Sequence, residues 1–296
     1  MKENKNVKLL SASEGGFAFA IMICAYIFIS FIGQTIAGAI FGEKSVAYIA
    51  VCSLFSALAM LGVILYFTLY KKVEFKTFSG INKFKPISLL LAILLSFGMF
   101  FGLGFINDLF AGIFKSWGLN VSAVSIPLDN PFHLILFSVL FALIPAVTEE
   151  IFFRALMLKS LESVKAVWAV TAVSVTFALY HCSVSQFIYQ LIYGAGLSIL
   201  FMYAKSIIPC VIAHFINNFS VIIFEYFKFS INLYNPLIIA GGILALIIFA
   251  LITVLSIIKS EKTKKEVSSV KKFYFPFAIF GCVICLALLI GNLFVV

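Results

Sequence analysis

Nine uninterrupted apolar stretches dominate the sequence and constrain its fold more than any other feature. They cover residues 17–41, 46–70, 87–106, 132–158, 166–181, 186–204, 207–227, 236–258 and 273–295. Most contain the roughly 20 apolar residues that an α-helix needs to cross a bilayer, and their continuous character argues against the alternating pattern of a β-barrel. With 63% hydrophobic and 11% charged residues, a soluble domain would expose too much apolar surface. We therefore predict an all-α, polytopic transmembrane helical bundle of about eight or nine spans.

The lysines predict the orientation of these spans, because cytoplasmic loops carry an excess of Lys and Arg. With the N-terminus inside, seventeen lysines fall on inner segments, and Lys44, Lys115 and Lys228 fall on outer ones. We therefore predict a multi-pass protein of the cell membrane with a cytoplasmic N-terminus. The net charge of +9 is then explained by topology and by contact with anionic lipids. We expect the lipid bilayer as a partner and no nucleic acid.

The charged segment 259–272 separates the last apolar stretch from the others. We interpret residues 1–258 as a transmembrane helical core, with a functional region at about residues 130–224. Residues 259–296 would form a charged inner loop followed by an additional C-terminal span.

Small residues and cysteines inside the apolar stretches predict packing. Gly98 with Gly102, and Gly194 with Ser198, have the four-residue spacing that permits close helix contact. Cys282 and Cys285 form a CxxC, but no second such pair accompanies them. We therefore favour apolar packing for these cysteines over metal or redox chemistry.

Six polar residues of three short motifs lie inside or at the ends of these stretches, where a charge costs on the order of 3 kcal/mol at the bilayer centre. They are Glu149, Glu150 and Arg154 in TEEIFFR, His181 in FALYH, and His214 and Asn218 in HFINN. Residues four apart share one helix face, so Glu150 can pair with Arg154, and His214 projects beside Asn218. A purely structural ion-pair cluster and packing histidines are the alternative, but the grouping of all six in one third of the chain favours a polar intramembrane cavity.

These side chains have the groups needed to hydrolyse a peptide bond. A partly buried Glu can take a proton from water, and a His can share that task or bind a metal. A second His and an Asn can donate hydrogen bonds to an oxyanion. The six residues therefore predict hydrolysis inside the membrane.

The motifs EExxxR, FxxxH and HxxxN, in this order on separate spans, resemble those of the CAAX-protease and bacteriocin-processing family of intramembrane endopeptidases. This family includes the type II CAAX prenyl endopeptidases and the bacterial Abi proteins. The resemblance covers roughly residues 130–224, and Ala155 departs from the Gly that many members have after the Arg.

The resemblance implies a role for each of the six residues. Glu149 would be the base that activates water, and Glu150 would pair with Arg154 to support the site. His181 would assist water activation or bind a metal. His214 and Asn218 would form the oxyanion site or complete a metal site.

The resemblance leaves open whether a metal takes part, and so do the residues. Glu149, His181 and His214 could form an open zinc site. The sequence has no HExxH motif, in which adjacent turns of one helix supply two ligands. We favour metal-free chemistry and keep zinc as the alternative.

The sequence thus predicts an intramembrane endopeptidase, of glutamate or metallo type, for a hydrophobic or lipidated peptide or protein. CAAX-type, bacteriocin or signal-peptide processing and self-immunity are the expected settings, and the Phe, Ile and Lys bias indicates a bacterial source. A non-proteolytic bacteriocin-immunity or scaffold protein is one alternative. A transporter, which also uses buried Glu and His, is the other.

Overall fold

A computed structural model describes residues 10–70, 72, 80–119, 121, 126–229, 232–261 and 274–294. Nine helices form the described part of the chain. They are α1 (Ala12–Phe41), α2 (Val46–Tyr70), α3 (Ile87–Ser116), α4 (Pro131–Leu158), α5 (Ala166–Tyr180), α6 (Phe187–Ala204), α7 (Ile208–Phe227), α8 (Pro236–Glu261) and α9 (Tyr274–Phe294). Eight of these described helices are long and apolar enough to cross a membrane, which confirms the predicted polytopic helical bundle.

Helices α1, α3 and α5 depart from their predictions. Helix α1 begins at Ala12, five residues before its apolar stretch at 17–41. Helix α5 has only 15 residues, about 22 Å at 1.5 Å per residue, and falls short of a full span. Helix α3 continues to Ser116, so the predicted outer loop at 107–130 begins as helix. Asp108 and Lys115 lie seven residues apart in this extension and therefore share one helix face, with apolar residues between them. This amphipathic pattern is expected for a helix end that leaves the apolar layer.

Local capping signals explain where the first and fourth helices begin. Ser11 Oγ accepts a hydrogen bond from the Glu14 backbone N–H, and the Glu14 carboxylate accepts from the Ser11 N–H, so the two form a capping box. Asn130 Oδ1 accepts from the His133 N–H at 2.9 Å, and Pro131 occupies the first helical position. The start of the glutamate-bearing helix α4 is therefore determined by its own sequence.

Close helix packing at glycines joins α3 to α8. A Cβ at Gly102 would lie 2.7 Å from the Gly242 carbonyl carbon, and one at Gly98 would lie 2.6 Å from Leu246 Cγ. Only glycine permits this approach, which confirms the close contact that the spacing of Gly98 and Gly102 predicts.

The C-terminal helix α9 packs along α1 and also contacts α5. Where α9 packs against α1, Gly281 lies against the Phe19 ring. A Cβ on residue 281 would lie 2.7 Å from Phe19 Cδ1. The boundary between a core and an added span stays a prediction, and most of the charged segment 259–272 lies outside the described residues.

Contacts between helix ends support the predicted alternation of the spans. Asn82, before α3, donates to the Lys205 carbonyl after α6 at 3.0 Å. Tyr234, before α8, donates to Asp108 near the opposite end of α3 at 3.3 Å. Each contact joins two segments that the lysine distribution assigns to one side.

Candidate active site

The two adjacent acids lie where helix α4 widens into a π-helical section, Glu150–Leu158. Similar sections occur in α2, α3 and the first half of α4, so the side-chain contacts, not the helix type, define the site. Within it Arg154 Nη1 donates to Glu150 Oε1 at 2.9 Å, and both side chains are fully buried. Arg154 Nη2 also donates to the Gly194 carbonyl on α6 at 3.3 Å. The predicted pair therefore forms and also fixes α4 against α6.

His214 of α7 completes the cluster. Its Nδ1 lies 2.9 Å from Glu150 Oε1, and because a carboxylate accepts, this nitrogen carries a proton and donates it. Its Nε2 then points toward Glu149, 3.8 Å from Oε2. One oxygen of Glu150 thus accepts from both Arg154 and His214, and this arrangement orients the imidazole.

Glu149 has a different environment from its neighbour Glu150. Its side chain is buried, and its Oε2 has no hydrogen-bond partner among the described residues. Glu150 Oε2 also has none there, but Glu150 Oε1 accepts from both Arg154 and His214. Buried polar oxygens ordinarily have a partner. Because the gap to His214 Nε2 exceeds a direct hydrogen bond, Glu149 presents an oxygen that is free to bind another molecule.

Phe177 brings the second histidine to this cluster. His181 Nδ1 donates to the Phe177 carbonyl at 2.8 Å, which leaves Nε2 available. The Phe177 ring centroid lies 4.8 Å from that of His181 and 6.0 Å from that of His214. It also lies 4.5 Å from Arg154 Cζ, a distance suited to a cation–π contact. Phe177 therefore packs against both histidines and the arginine at once.

Asn218 lies at the end of a chain of polar contacts. Tyr189 Oη donates to Asn217 Oδ1 at 2.6 Å, and Asn217 Nδ2 lies 3.5 Å from Asn218 Oδ1. Asn218 Nδ2 donates to the Phe141 carbonyl at 3.2 Å, which leaves its second N–H available. The chain links α6, α7 and α4 beside the histidine.

The structure thus brings four of the predicted residues, Glu149, Glu150, Arg154 and His214, into direct contact. His181 joins them through Phe177, and Asn218 lies one helical turn from His214 on α7. The sequence predicted a polar cavity, and in the structure these side chains form a buried polar cluster. Two cavities of about 210 and 230 Å³ have apolar linings that include none of the six residues.

Sequence reasoning missed the two tyrosines that α6 contributes. Tyr189 bonds Asn217, and the Tyr193 ring centroid lies 5.8 Å from that of His214. The two tyrosines are four residues apart, so they share one helix face. This YxxxY spacing, directly before Gly194, was the available signal.

The arrangement does not fit a three-ligand zinc site. The described residues contain no group of three or more His, Cys, Asp or Glu side chains positioned to hold a metal ion. His214 Nδ1 donates to Glu150 and His181 Nδ1 donates to a backbone carbonyl, which leaves Nε2 of each ring for another partner, as in metal-bound histidines. Of these facing atoms, His214 Nε2 and Glu149 Oε2 lie 3.8 Å apart, whereas a catalytic zinc needs three protein ligands placed together.

Fold and site together define a polytopic helical membrane protein with a buried cluster of two acids, an arginine and a histidine. Residues 131–220 match the family described as Type II CAAX prenyl endopeptidase Rce1-like. This match confirms the family resemblance of the three motifs and supports membership of the CAAX-type intramembrane endopeptidases, which are proteases. The match covers less than a third of the chain. No curated protein and no solved structure matches this chain.

Proposed function

We propose that this protein is an intramembrane endopeptidase in which Glu149 activates water. The observation that carries the proposal is the buried Glu149 Oε2, without a hydrogen-bond partner among the described residues, facing a histidine that Glu150 and Arg154 hold in place. A water bound to Glu149 would lose a proton to this carboxylate as its oxygen attacks the peptide carbonyl.

The position of His214 supports a role in stabilising the oxyanion. Its Nδ1 is bonded to Glu150 and its Nε2 faces Glu149, beside which the reacting carbonyl would bind. A proton on Nε2 would be one hydrogen-bond donor to the oxyanion. The free N–H of Asn218 would be a second donor to the oxyanion.

His181 suits the water-activating side of the reaction. Its Nδ1–H donates a hydrogen bond to the Phe177 carbonyl. In the neutral ring Nε2 is therefore an acceptor. An acceptor can hold the attacking water but cannot donate to an oxyanion. Glu150 and Arg154 act through His214, because Glu150 orients its ring and Arg154 pairs with Glu150.

The substrate that we propose is a hydrophobic or lipidated peptide or protein segment that reaches the buried site from within the bilayer. The described surface is rich in exposed apolar side chains, as expected for contact with lipid tails. CAAX-type processing, bacteriocin maturation and signal-peptide cleavage each present such a segment. We further propose residence in the bacterial cell membrane with a cytoplasmic N-terminus, as the lysine distribution predicts.

The test is cleavage of internally quenched hydrophobic peptides, with and without a farnesylated cysteine, by purified protein in liposomes. We expect Glu149→Gln to lower kcat by about 10²–10⁴-fold, the range contributed by a general base. Glu225→Gln is the matched control, because Glu225 is an exposed acid on α7. Wild-type rates in a folded Glu149→Gln variant would refute the assignment.

The same samples separate the alternatives. A protein that cleaves no peptide but binds a bacteriocin equally well with and without the Glu149→Gln change would be an immunity or scaffold protein. Solute flux into the liposomes that depends on Glu149, without cleavage, would indicate a transporter.

A further inference from the structure

Cys182 occupies an unusual position, immediately after His181 at the end of α5. Its φ of +46° lies in the left-handed region, which costs a non-glycine residue on the order of 1 kcal/mol and therefore needs support from neighbouring groups. The C-terminal helix provides that support, because Asn292 Nδ2 donates to the Cys182 carbonyl at 3.4 Å. The backbone of the α5–α6 junction is thus attached to α9.

The side chain of Cys182 contacts the same helix. Its Sγ lies 4.0 Å from the Cys285 carbonyl oxygen, so the Cys182 thiol lies against the residue that carries the second thiol. Cys182 is partly exposed, and Cys285 is fully buried beneath it. Such a pair has one thiol that a small reagent can reach and a second that can respond to it.

We propose that Cys182 and Cys285 are a redox-active thiol pair that forms a disulfide between the C-terminal helix and the residue that follows His181. The proposal does not depend on the peptidase activity. Cys285 lies in the hydrophobic core, as the packing interpretation predicts, and the proposal assigns its partner across the helix interface, not within the CxxC. Cys282 lies one helical turn earlier and is the residue that sequence spacing alone would have paired with it.

The oxidant that we propose is a small-molecule disulfide, and the exchange balances. The Cys182 thiolate attacks one sulfur of the oxidant, which releases one thiol and leaves a mixed disulfide on Cys182. The Cys285 thiol then loses its proton and attacks the Cys182 sulfur, which releases the second thiol. Two protein thiols are oxidised, and one disulfide of the oxidant is reduced to two thiols.

The predicted topology suits this chemistry. The alternation of the spans assigns the α5–α6 junction to the outer side of the membrane, and disulfides persist in oxidising extracellular compartments. The bond would join residues that are 103 positions apart in sequence. It would therefore hold α9 against α5 beside His181, in a chain whose described helices α5 and α9 otherwise meet through non-covalent contacts.

The experiment incubates reduced full-length protein with oxidised glutathione, alkylates the remaining thiols and identifies linked peptides by mass spectrometry. We expect a Cys182–Cys285 link in most wild-type molecules, reversed by dithiothreitol. We expect Cys285→Ser to stop at glutathionylated Cys182. Cys282→Ser is the matched control on the same helix and should retain the link.

Two results would overturn the proposal. One is a wild-type protein in which Cys182 stays glutathionylated, or stays reduced, with no link to Cys285. The other is a link that joins Cys182 to Cys282 and survives Cys285→Ser. A thermal unfolding temperature that rises on oxidation in wild type and Cys282→Ser, but not in Cys285→Ser, would support it whether or not the protein cleaves peptides.

Discussion

His214 donates its Nδ1 proton to Glu150 Oε1 at 2.9 Å, and the same oxygen accepts from Arg154 at 2.9 Å. One carboxylate oxygen therefore orients an imidazole from α7 and a guanidinium from α4. Two adjacent acids consequently have different environments. Glu150 is the anion that holds the cluster together, and Glu149 faces the other side of the histidine.

Removal of the charge on Glu150 should destabilise the protein. Glu150→Gln leaves Arg154 buried without its counterion, and breaking a buried pair in this way costs about 3–5 kcal/mol in the free energy of unfolding. Chemical denaturation in mixed micelles would measure it. Glu225→Gln, at an exposed position, should change stability by less than about 0.5 kcal/mol. Equal stability of Glu150→Gln and wild type would contradict the assigned role.

Arg154 should not be replaceable by Lys. A single ammonium cannot reproduce the two bonds that the guanidinium makes to Glu150 and to the Gly194 carbonyl, nor its stacking on Phe177. We expect Arg154→Lys to lower kcat at least tenfold and to lower the unfolding midpoint.

A double replacement of the buried pair separates stability from activity. Glu150→Met with Arg154→Met removes both charges together, and apolar replacement of a buried pair is often neutral for stability. We expect this variant to fold and yet to cleave no peptide, because His214 has lost the acceptor that orients it. Retained cleavage would show that the pair is only structural.

Tyr189 should act as a positioning residue for the asparagines. Tyr189→Phe removes the 2.6 Å bond to Asn217 Oδ1, and an unsatisfied buried acceptor costs about 1–3 kcal/mol. We expect kcat to fall about tenfold, equivalent to about 1.4 kcal/mol, with KM unchanged. Tyr203→Phe, about 21 Å farther along α6, is the control. A change in KM alone would argue against this positioning role.

Gly194 should tolerate no side chain. A Cβ there would lie 3.0 Å from Phe177 Cδ1 and 3.3 Å from the Ser174 Cα, so α6 would have to move away from α5 and shift Phe177 against both histidines. We expect Gly194→Ala to lower both activity and the unfolding temperature. Gly241→Ala is the matched control, because nothing lies within 4 Å of the Cβ position at Gly241. The stability of this variant should equal or exceed that of the wild type, since alanine is the better helix former.

The helices themselves follow from local sequence. Continuous apolar stretches set their number and nearly all of their bounds, because a backbone in lipid must satisfy its hydrogen bonds within each span. The Asn130 cap and Pro131 place the start of α4. The four-residue spacing of Glu150 and Arg154 predicted their ion pair, because such residues are neighbours on any helix.

Only the tertiary structure decided which partners lie across helix interfaces. Nothing in the local sequence of Glu150 indicates that it accepts from His214, 64 positions later, or that Tyr189 bonds Asn217. The same holds for Cys285, whose neighbour in the CxxC motif is Cys282 but whose backbone carbonyl lies 4.0 Å from the Cys182 sulfur. Sequence spacing determines which residues share a face of one helix, whereas the rotation and separation of two helices depend on packing along their whole length, including close approaches such as Gly102 on Gly242.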